Sequence, residues 1–412
     1  MATRRNIAIA GAGIGGLAAA ALLAQAGHRV QLFEQFDQPR PVGSGLVIQP
    51  VGLDVLDHLG AGDAVRQRGA VLTRMLGTVV RSGRRVLDVR YDSGTMGRAG
   101  LAIHRASLFQ ALWDAAVQAG AAIQPSATVR EAPLKGQQRF LSLTNDTSHG
   151  PFDLVVDASG ARSPLATLAA RPLPYGAIWG TVPWPAASPL ATDQLTQRYH
   201  RADRMAGVLP IGRLPGSDQP MAAVFWSLPA RALTNWPTGP LAQWKAEAAA
   251  LWPDFAAFLT PITRWSQMTP ARYSHGTLRR PYGVALAHIG DAAHRASPQL
   301  GQGANMALLD AMGLSLALNR DAPVDEALRH YARMRRWHVR LYQGMSAVFT
   351  PQYQSDSRAL PLLRDHLLAP LSRLPPVQAI LTRLVSGDLI LPLAGVAWAA
   401  PQRAAALSTT EA

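Results

Sequence analysis

The chain has 412 residues, 48% of them apolar and only 16% charged, which is room for two to three domains with sizeable cores and excludes disorder over most of its length. Cysteine is absent, which excludes disulfides, thiolate metal or iron–sulfur sites, thiol nucleophiles and cysteinyl-linked cofactors, and fits a cytoplasmic location. The net charge of +14 is carried by arginine, with Lys135 and Lys245 the only lysines; the densest run, Arg333, Arg335, Arg336 and Arg340, lies in a helical pattern with no nucleic-acid motif and reads as a solvated helix face.

In chain order, Arg4 and Arg5 followed by the apolar stretch 7–26 resemble a secretory signal, but glycines at 11, 13, 15 and 16 interrupt it. The stretch reads as a buried strand, Asn6–Ala10, a glycine loop, and an Ala/Leu helix, Gly15–Ala26, ended by Gly27. A second strand follows at Arg29–Phe33. This βαβ opening predicts a parallel sheet. Segments 78–81 and 84–89 flank Ser82-Gly83, a hairpin signal. A helix is expected over Ser107–Ala119 and a strand over Asp153–Val156. From about Arg171 to Arg264 proline and tryptophan rise and short strands alternate, so a second, mainly antiparallel domain is expected there. Gly283–Ile289 restores a buried strand, Ala304–Leu318 is a long helix, and the chain is helical from Asp325 on. No apolar run is long enough for a transmembrane helix. The stretch Leu389–Ala400 reads as a packed end of the fold, with membrane-surface contact as its alternative.

Two segments carry chemistry. Gly11-Ala12-Gly13-Ile14-Gly15-Gly16 fits G-x-G-x-x-G between a strand and a helix, with Glu34 ending the next strand. Gly11 permits the tight turn, Gly13 lets a pyrophosphate approach, Gly16 allows close helix–strand packing, and Glu34 can accept from ribose hydroxyls. The second segment is Gly290-Asp291-Ala292-Ala293-His294, leading through Ser297-Pro298 into Gly301-Gln302-Gly303-Ala304-Asn305 and a helix. A carboxylate at a strand end suits a polyol chain. A second glycine-rich helix start suits an anionic ring. Ribityl and isoalloxazine present those demands; nicotinamide does not.

On these residues the chain resembles the single-component FAD-dependent aromatic hydroxylases, the flavoprotein monooxygenases related to para-hydroxybenzoate and salicylate hydroxylases. The likeness spans about residues 5–345. It includes the Gly43-Ser44-Gly45 loop with Leu56 and Leu59-Gly60, and Arg105 in R-x-x-L with Leu108 and Leu112. It implies an α/β fold: a Rossmann-like FAD-binding domain (1–70, 100–170 and 265–330), a mainly antiparallel β-sheet substrate domain (71–99 and 171–264), and a helical C-terminal region (331–412). It implies that Gly11, Gly13, Ile14, Gly15 and Gly16 hold the FAD pyrophosphate, Glu34 the adenosine ribose, Arg105 the pyrophosphate and ribityl region, and Asp291 the ribityl hydroxyls. Val129 would lie beside adenine, with Gly45 and Asp157 also at the cofactor. Pro298 would sit at the ring edge, and Gly301, Gln302, Gly303, Ala304 and Asn305 at its pyrimidine end. Ser159 stands where the family often has the aspartate of an Asp-Gly pair, a departure that bears on nicotinamide contacts.

The resemblance further implies FAD reduced by NADH or NADPH, a flavin 4a-hydroperoxide formed with dioxygen, and oxygen transfer to an aromatic or heteroaromatic ring. Pro298 and Gly303 are the catalytic candidates at the ring. Tyr199 and His200 are candidates for deprotonating a phenol, and Gln49, Arg213 and Trp226 for lining the substrate pocket. His294 reads as structural, and no spacing suggests a metal. A single G-x-G-x-x-G argues against a permanent nicotinamide domain, and neither lysine sits in a halogenase setting. A flavin reductase or dehydrogenase on the same fold is the second reading. A basic protein holding flavin only as structure is the third.

Overall fold

A computed structural model of the chain describes residues 3–37, 43–91, 98–234, 236–237 and 239–395. The strand Asn6–Ala10 pairs in parallel with Arg29–Phe33 on one side and Leu154–Asp157 on the other. They belong to a six-stranded sheet in the order Tyr282–Gly283, Leu286–His288, Leu154–Asp157, Asn6–Ala10, Arg29–Phe33 and Ala122–Gln124. Its neighbours are parallel except for the hairpin Tyr282–His288. A central parallel strand is covered on both faces, so Asn6–Ala10 shows an unbroken apolar run rather than alternation.

The helix Ile14–Gln25 is buried from Gly15 through Leu23, enclosed by the sheet and the helices Arg105–Gln118 and Gly303–Leu318. Its small residues make that possible. A Cβ on Gly15 would stand 3.3 Å from Ala307 Cβ, and one on Gly16 would stand 1.9 Å from the Gly11 carbonyl oxygen.

The second sheet has eight strands. Arg171–Pro183, Gln194–His200, Arg204–Arg213 and Pro220–Pro229 form its centre, with the hairpin Arg74–Val79/Arg85–Arg90 at one edge and Met268–Thr277 toward the other. All the pairings are antiparallel except that of Gln194–His200 with Arg74–Val79. The boundary expected at 264/265 falls one strand later, because Met268–Thr277 pairs with Arg171–Pro183. Its mixed, half-exposed pattern gave no strand signal in the sequence. One face of this sheet packs under Trp244, Trp252, Phe255 and Phe258. The other meets the first domain, where Ser44 Oγ lies 2.8 Å from Thr181 Oγ1.

The helix Val324–Tyr353 ties the two halves together. Its Tyr331 hydroxyl donates to the His288 carbonyl of the first sheet, and its Tyr353 hydroxyl to the Val86 carbonyl of the second. The helices Ala359–Leu363, Ala369–Leu371 and Pro375–Ser386 follow. Of Leu389–Ala400, Leu393 is buried and the Ala394 amide donates to the Met334 carbonyl, whereas Leu391 is 71% exposed. Residues 396–400 lie outside the described residues. Among the described residues no helix is long and apolar enough to cross a membrane.

A buried charge network fixes the arrangement. Asp310, inside the helix Gly303–Leu318, accepts from the Gly290 amide at 2.9 Å, from His294 Nε2 at 2.6 Å and from Arg335 Nε at 2.8 Å. Arg335 also donates to the Pro392 carbonyl, and His338 beside it donates to the Gly387 carbonyl. Burial alone would raise the Asp310 carboxyl, but His294 and Arg335 outweigh it and hold its pKa down at about 2. Burial, aided by Arg335, pushes His338 down to about 3, so this ring is neutral at pH 7.

A carboxyl depressed in the folded state adds stability above its unfolded pKa and loses it as pH falls toward the folded value. Asp310→Asn leaves Arg335 buried without its partner and should cost about 3–5 kcal/mol at neutral pH. In urea titrations the gap between wild type and variant should narrow by about 1 kcal/mol between pH 6 and pH 3. A gap independent of pH would show that Asp310 is not the ionised hub.

Candidate active site

The first glycine loop leaves the central strand at its carboxyl end, where ligands bind in sheets of this kind. Gly11 adopts φ +100°, and a Cβ there would lie 2.8 Å from the Ala158 carbonyl oxygen. Gly13 is different: it has extended backbone, φ −73°, and a Cβ would meet nothing within 4 Å. The amides of Gly13, Ile14 and Gly15 find no acceptor among the described residues. They give the helix start a set of free donors and a positive dipole end.

A cavity of about 510 Å³ opens in front of this helix start. Glu34, Val129, Arg105 and Arg162 line it together with Gly11, Gly13 and Ile14. The Glu34 carboxylate is oriented by the Ala12 amide at 2.7 Å and the Phe36 amide at 3.1 Å. Arg105 opens the helix Arg105–Gln118, whose N-cap is His104, with Nδ1 accepting from the Ala106 amide. Burial lowers the Arg105 pKa, partly offset by the charge of Asp291. Arg162 went unassigned in the sequence. It follows the strand Leu154–Asp157 and brings a second guanidinium to the cavity. Free amides and two guanidinium groups suit a diphosphate, and the Glu34 carboxylate suits sugar hydroxyls; together they fit a dinucleotide.

The second glycine segment is similarly open. Asp291 is exposed, in the turn Gly290–Ala292, and its carboxylate accepts no hydrogen bond among the described residues. Gly301 has φ +61°, and a Cβ on Gly303 would meet nothing within 4 Å. The helix begins at Gly303, one residue earlier than expected. Pro298 is exposed beside it, in the turn Pro298–Leu300, and Ala304 is half-buried in the first turn.

Several expected roles change. Asp157 is fully buried and away from the cavity lining; its carboxylate accepts from Ser159, Ser163 and His288. Burial would raise its pKa, and those hydrogen bonds outweigh that and lower it. It therefore shapes the loop 158–162 that lines the cavity. Ser159, which departs from the family's aspartate, gives its hydroxyl to this contact and still lines the cavity. Gly45 lies where a Cβ would be 2.1 Å from Ile211 Cγ2, so its missing side chain serves interdomain packing. Gly15 and Gly16 likewise serve helix packing. The Asn305 side chain is fully buried, accepting from the Gln49 amide at 2.8 Å and donating to the Gly301 carbonyl at 2.9 Å. Gln302 Nε2 donates to the Val385 carbonyl.

The candidate base pair moves away from the site. Tyr199 is buried, its hydroxyl donates to Gln197 Oε1, and its ring lies under Arg364 and against Tyr353. Burial pushes this phenol well above its ordinary pKa. His200 ends the same strand and pairs with Asp203 at 3.0 Å near the surface. Trp226 is on the sheet's far face, and Arg213 is exposed and bonded to the Asp218 carbonyl. Gln49 does stay near the glycine segment: fully buried, it accepts from the Tyr91 hydroxyl at 2.6 Å, while Nε2 has no partner among the described residues. That Nε2 would be 3.4 Å from a Cβ on Gly301.

These two helix starts, one facing a diphosphate cavity and the other open beside a strand-end carboxylate, define a flavin-dinucleotide protein of the Rossmann-like class. The FAD binding domain family model matches residues 4–341. The chain belongs to that family, among the FAD-dependent aromatic hydroxylases, and is a flavoprotein monooxygenase. It is 27% identical over 386 residues to a probable 2-heptyl-3-hydroxy-4(1H)-quinolone synthase of Rhodococcus erythropolis, covering 90% of this chain and 92% of that one. It is 28% identical to a 3-amino-4-hydroxybenzoate 2-monooxygenase of Streptomyces cremeus, covering 80% and 83%. Among solved structures, a 2-methyl-3-hydroxypyridine-5-carboxylic acid oxygenase shares the fold with a TM-score of 0.77 at 22% identity, over 94% of this chain and 99% of that one. Klebsiella pneumoniae HpxO complexed with FAD and uric acid shares it with a TM-score of 0.76 at 21% identity, over 93% and 98%.

The glycines give a direct test. Gly13→Val adds bulk only to open space, so the variant should fold and purify colourless, with FAD affinity down at least tenfold by flavin fluorescence titration. Gly16→Ala places its Cβ on the Gly11 carbonyl and should lower stability itself, in the range of about 1–3 kcal/mol for an overpacked core site. Full flavin occupancy in Gly13→Val would remove the pyrophosphate assignment.

Proposed function

We propose that the enzyme hydroxylates an uncharged aromatic or heteroaromatic ring bearing a carbonyl or phenolic oxygen, with NADH or NADPH as electron donor and dioxygen as oxygen source. The observation that carries this reading is the face of the eight-stranded sheet turned toward the flavin domain. One row across it runs Thr269, Trp179, Phe225, Gly207, Gln197, Gly77 and Leu87. No charged side chain stands in that row. Arg198 and Arg204 lie over Trp252 and Trp226, rings that pack with the opposite face. A carboxylated ring would need a paired cation in this row, because an unpaired buried charge is strongly unfavourable; Arg105, whose charge reaches Tyr273, is assigned in this reading to the diphosphate.

Two donors accompany the apolar wall. Trp179 Nε1 donates to the Tyr273 hydroxyl at 2.9 Å, leaving the Tyr273 proton without an acceptor among the described residues. Burial pushes this phenol up to about 12, so it stays a donor at physiological pH. The second donor is Gln49 Nε2. The oxygen acceptor assigned to the substrate complements these groups, because a buried donor left unmatched costs free energy.

In this reading Gly13, Ile14, Arg105 and Arg162 hold the FAD diphosphate, Glu34 and Asp291 the ribose and ribityl hydroxyls, and the Gly303 helix start the ring's pyrimidine end. Bound FAD supplies the redox and oxygen-activating chemistry. The chain supplies the rest. Trp179, half-buried and backed by the buried Phe225 ring with centroids 4.5 Å apart, excludes water and offers a flat surface to a flat ring. Tyr273 and Gln49 fix its orientation. The first-turn amides at Gly303 favour negative charge beside them without reorganisation.

The test is a screen of NADH and NADPH oxidation against quinolones, indoles, phenols and their carboxylated counterparts, with mass analysis of products. One oxygen atom should be gained from dioxygen by uncharged rings, and carboxylated analogues should show the higher KM. Tyr273→Phe and Gln49→Ala should each weaken substrate binding by about 0.5–1.5 kcal/mol, roughly two- to tenfold, read from the flavin spectrum. Turnover restricted to carboxylated rings would overturn the substrate class. Oxidation of NAD(P)H with no oxygen gained by any substrate would favour the reductase reading.

A further inference from the structure

The segment Ala359–Leu371 is a continuous helical run whose central turn, Arg364–Leu368, is of the wider π type. Its inward side is made by Pro361, Arg364 and Ala369, all buried. Arg364 is held there by the Gln352 and Arg201 carbonyls. Its outward side repeats every four residues and is leucine: Leu362, Leu363, Leu367 and Leu371, continued by Leu374 and by Ile380 of the next helix. Each of these is 43–61% exposed. Single exposed leucines are ordinary, but a contiguous stripe of this kind marks a surface that meets something apolar.

The rim of the stripe is basic. Arg84 reaches the Asp365 carbonyl and the His366 ring, and Arg373, just past the helix, reaches the Arg85 backbone carbonyl, while the Arg85 side chain pairs with Asp88 at 3.5 Å. Arg358 and Arg383 are exposed at its two ends. Asp365 is spent on Arg364 at 2.8 Å. An apolar stripe bordered by arginines complements an anionic bilayer: leucines enter the acyl boundary and guanidinium groups meet lipid phosphates. A second copy of the chain would set the same arginine rim against itself, which like charge opposes.

We propose that the face built by Leu362, Leu363, Leu367, Leu371 and Leu374 is a peripheral docking surface for an anionic lipid membrane. It is distinct from Leu389–Ala400, the stretch the sequence pointed to.

Flotation of the full FAD-loaded chain with phosphatidylcholine/phosphatidylglycerol vesicles tests this, with pure phosphatidylcholine vesicles as the comparison. At low salt the protein should float with the anionic vesicles. It should float at least fivefold less with the neutral ones or when salt is raised to about 0.5 M. Leu367→Gln/Leu371→Gln/Leu374→Gln should reduce flotation about tenfold while the flavin spectrum and melting temperature stay unchanged, because these side chains face outward. Arg84→Gln/Arg373→Gln should flatten the difference between the two vesicle types. No flotation with either vesicle, or equal flotation of the triple leucine variant, would overturn the proposal. So would a concentration-dependent dimer in sedimentation that the triple variant abolishes, since the occupant would then be a second copy.

Discussion

A carboxylate shut away from water is unfavourable by several kcal/mol unless donors surround it, and Asp310 has its donors only when separate parts of the chain have come together. The Gly290 amide belongs to the turn that presents Asp291. His294 belongs to the segment leading to Pro298, and Arg335 to the long helix that bridges both sheets. Asp310 itself rides on the helix whose start is Gly303. One ion-pair centre thus holds the strand-end carboxylate, the glycine turn and the bridging helix in a single geometry. The Asp291 turn and the Gly303 helix start need no mutual contact of their own, because both are anchored to this buried hub.

Small residues do a complementary job, and the same residue type does it in opposite ways. At Gly11, Gly16 and Gly45 a Cβ would collide with protein, so these glycines let chain approach chain. At Gly13 and Gly303 a Cβ would meet nothing, so these glycines stand at open space in front of the two helix starts. Gly77 and Gly207 extend the pattern to the second sheet. A Cβ there would strike the Tyr199 and Phe225 rings at 2.5 and 2.0 Å, so the glycines let these aromatic rings lie flat along the sheet. The aromatic wall is therefore as dependent on glycine as the phosphate loop is.

What could be read from the sequence follows from how local its causes are. Asn6–Ala10 and Arg29–Phe33 emerge with the expected bounds because a buried parallel strand, a glycine turn and a capless alanine helix leave their mark within a few residues. The two glycine segments were legible for the same reason. Partner choice was not. Asp157 and Asn305 sit inside cofactor motifs, yet their side chains bond His288 and Gln49, far away in sequence. Trp179 and Tyr273 meet only because Arg171–Pro183 and Met268–Thr277 pair in one register, broken by a bulge between Pro172 and Gly176. A slip of Met268–Thr277 by one residue would turn Tyr273 to the other face, away from Trp179. Tyr199 and His200 looked alike as titratable neighbours, but alternation along a strand sends one under Arg364 and the other to the surface.

The division between the two sheets also explains why the cofactor was easier to infer than the substrate. The proposed dinucleotide site is built of backbone amides at helix starts, which require glycine and a fixed spacing and so constrain sequence tightly. In the proposed reading the ring to be hydroxylated would be met by side chains from Arg171–Pro183, Pro220–Pro229 and Met268–Thr277, one or two from each strand. Such a wall can change from Trp179 and Phe225 to charged or smaller groups without disturbing the ladder beneath it, because the hydrogen bonds that hold the sheet are made by backbone. Selectivity for the ring can therefore vary among proteins that keep the same flavin frame. In this chain, the wall's aromatic, uncharged composition carries the chemical information that the glycine motifs lack.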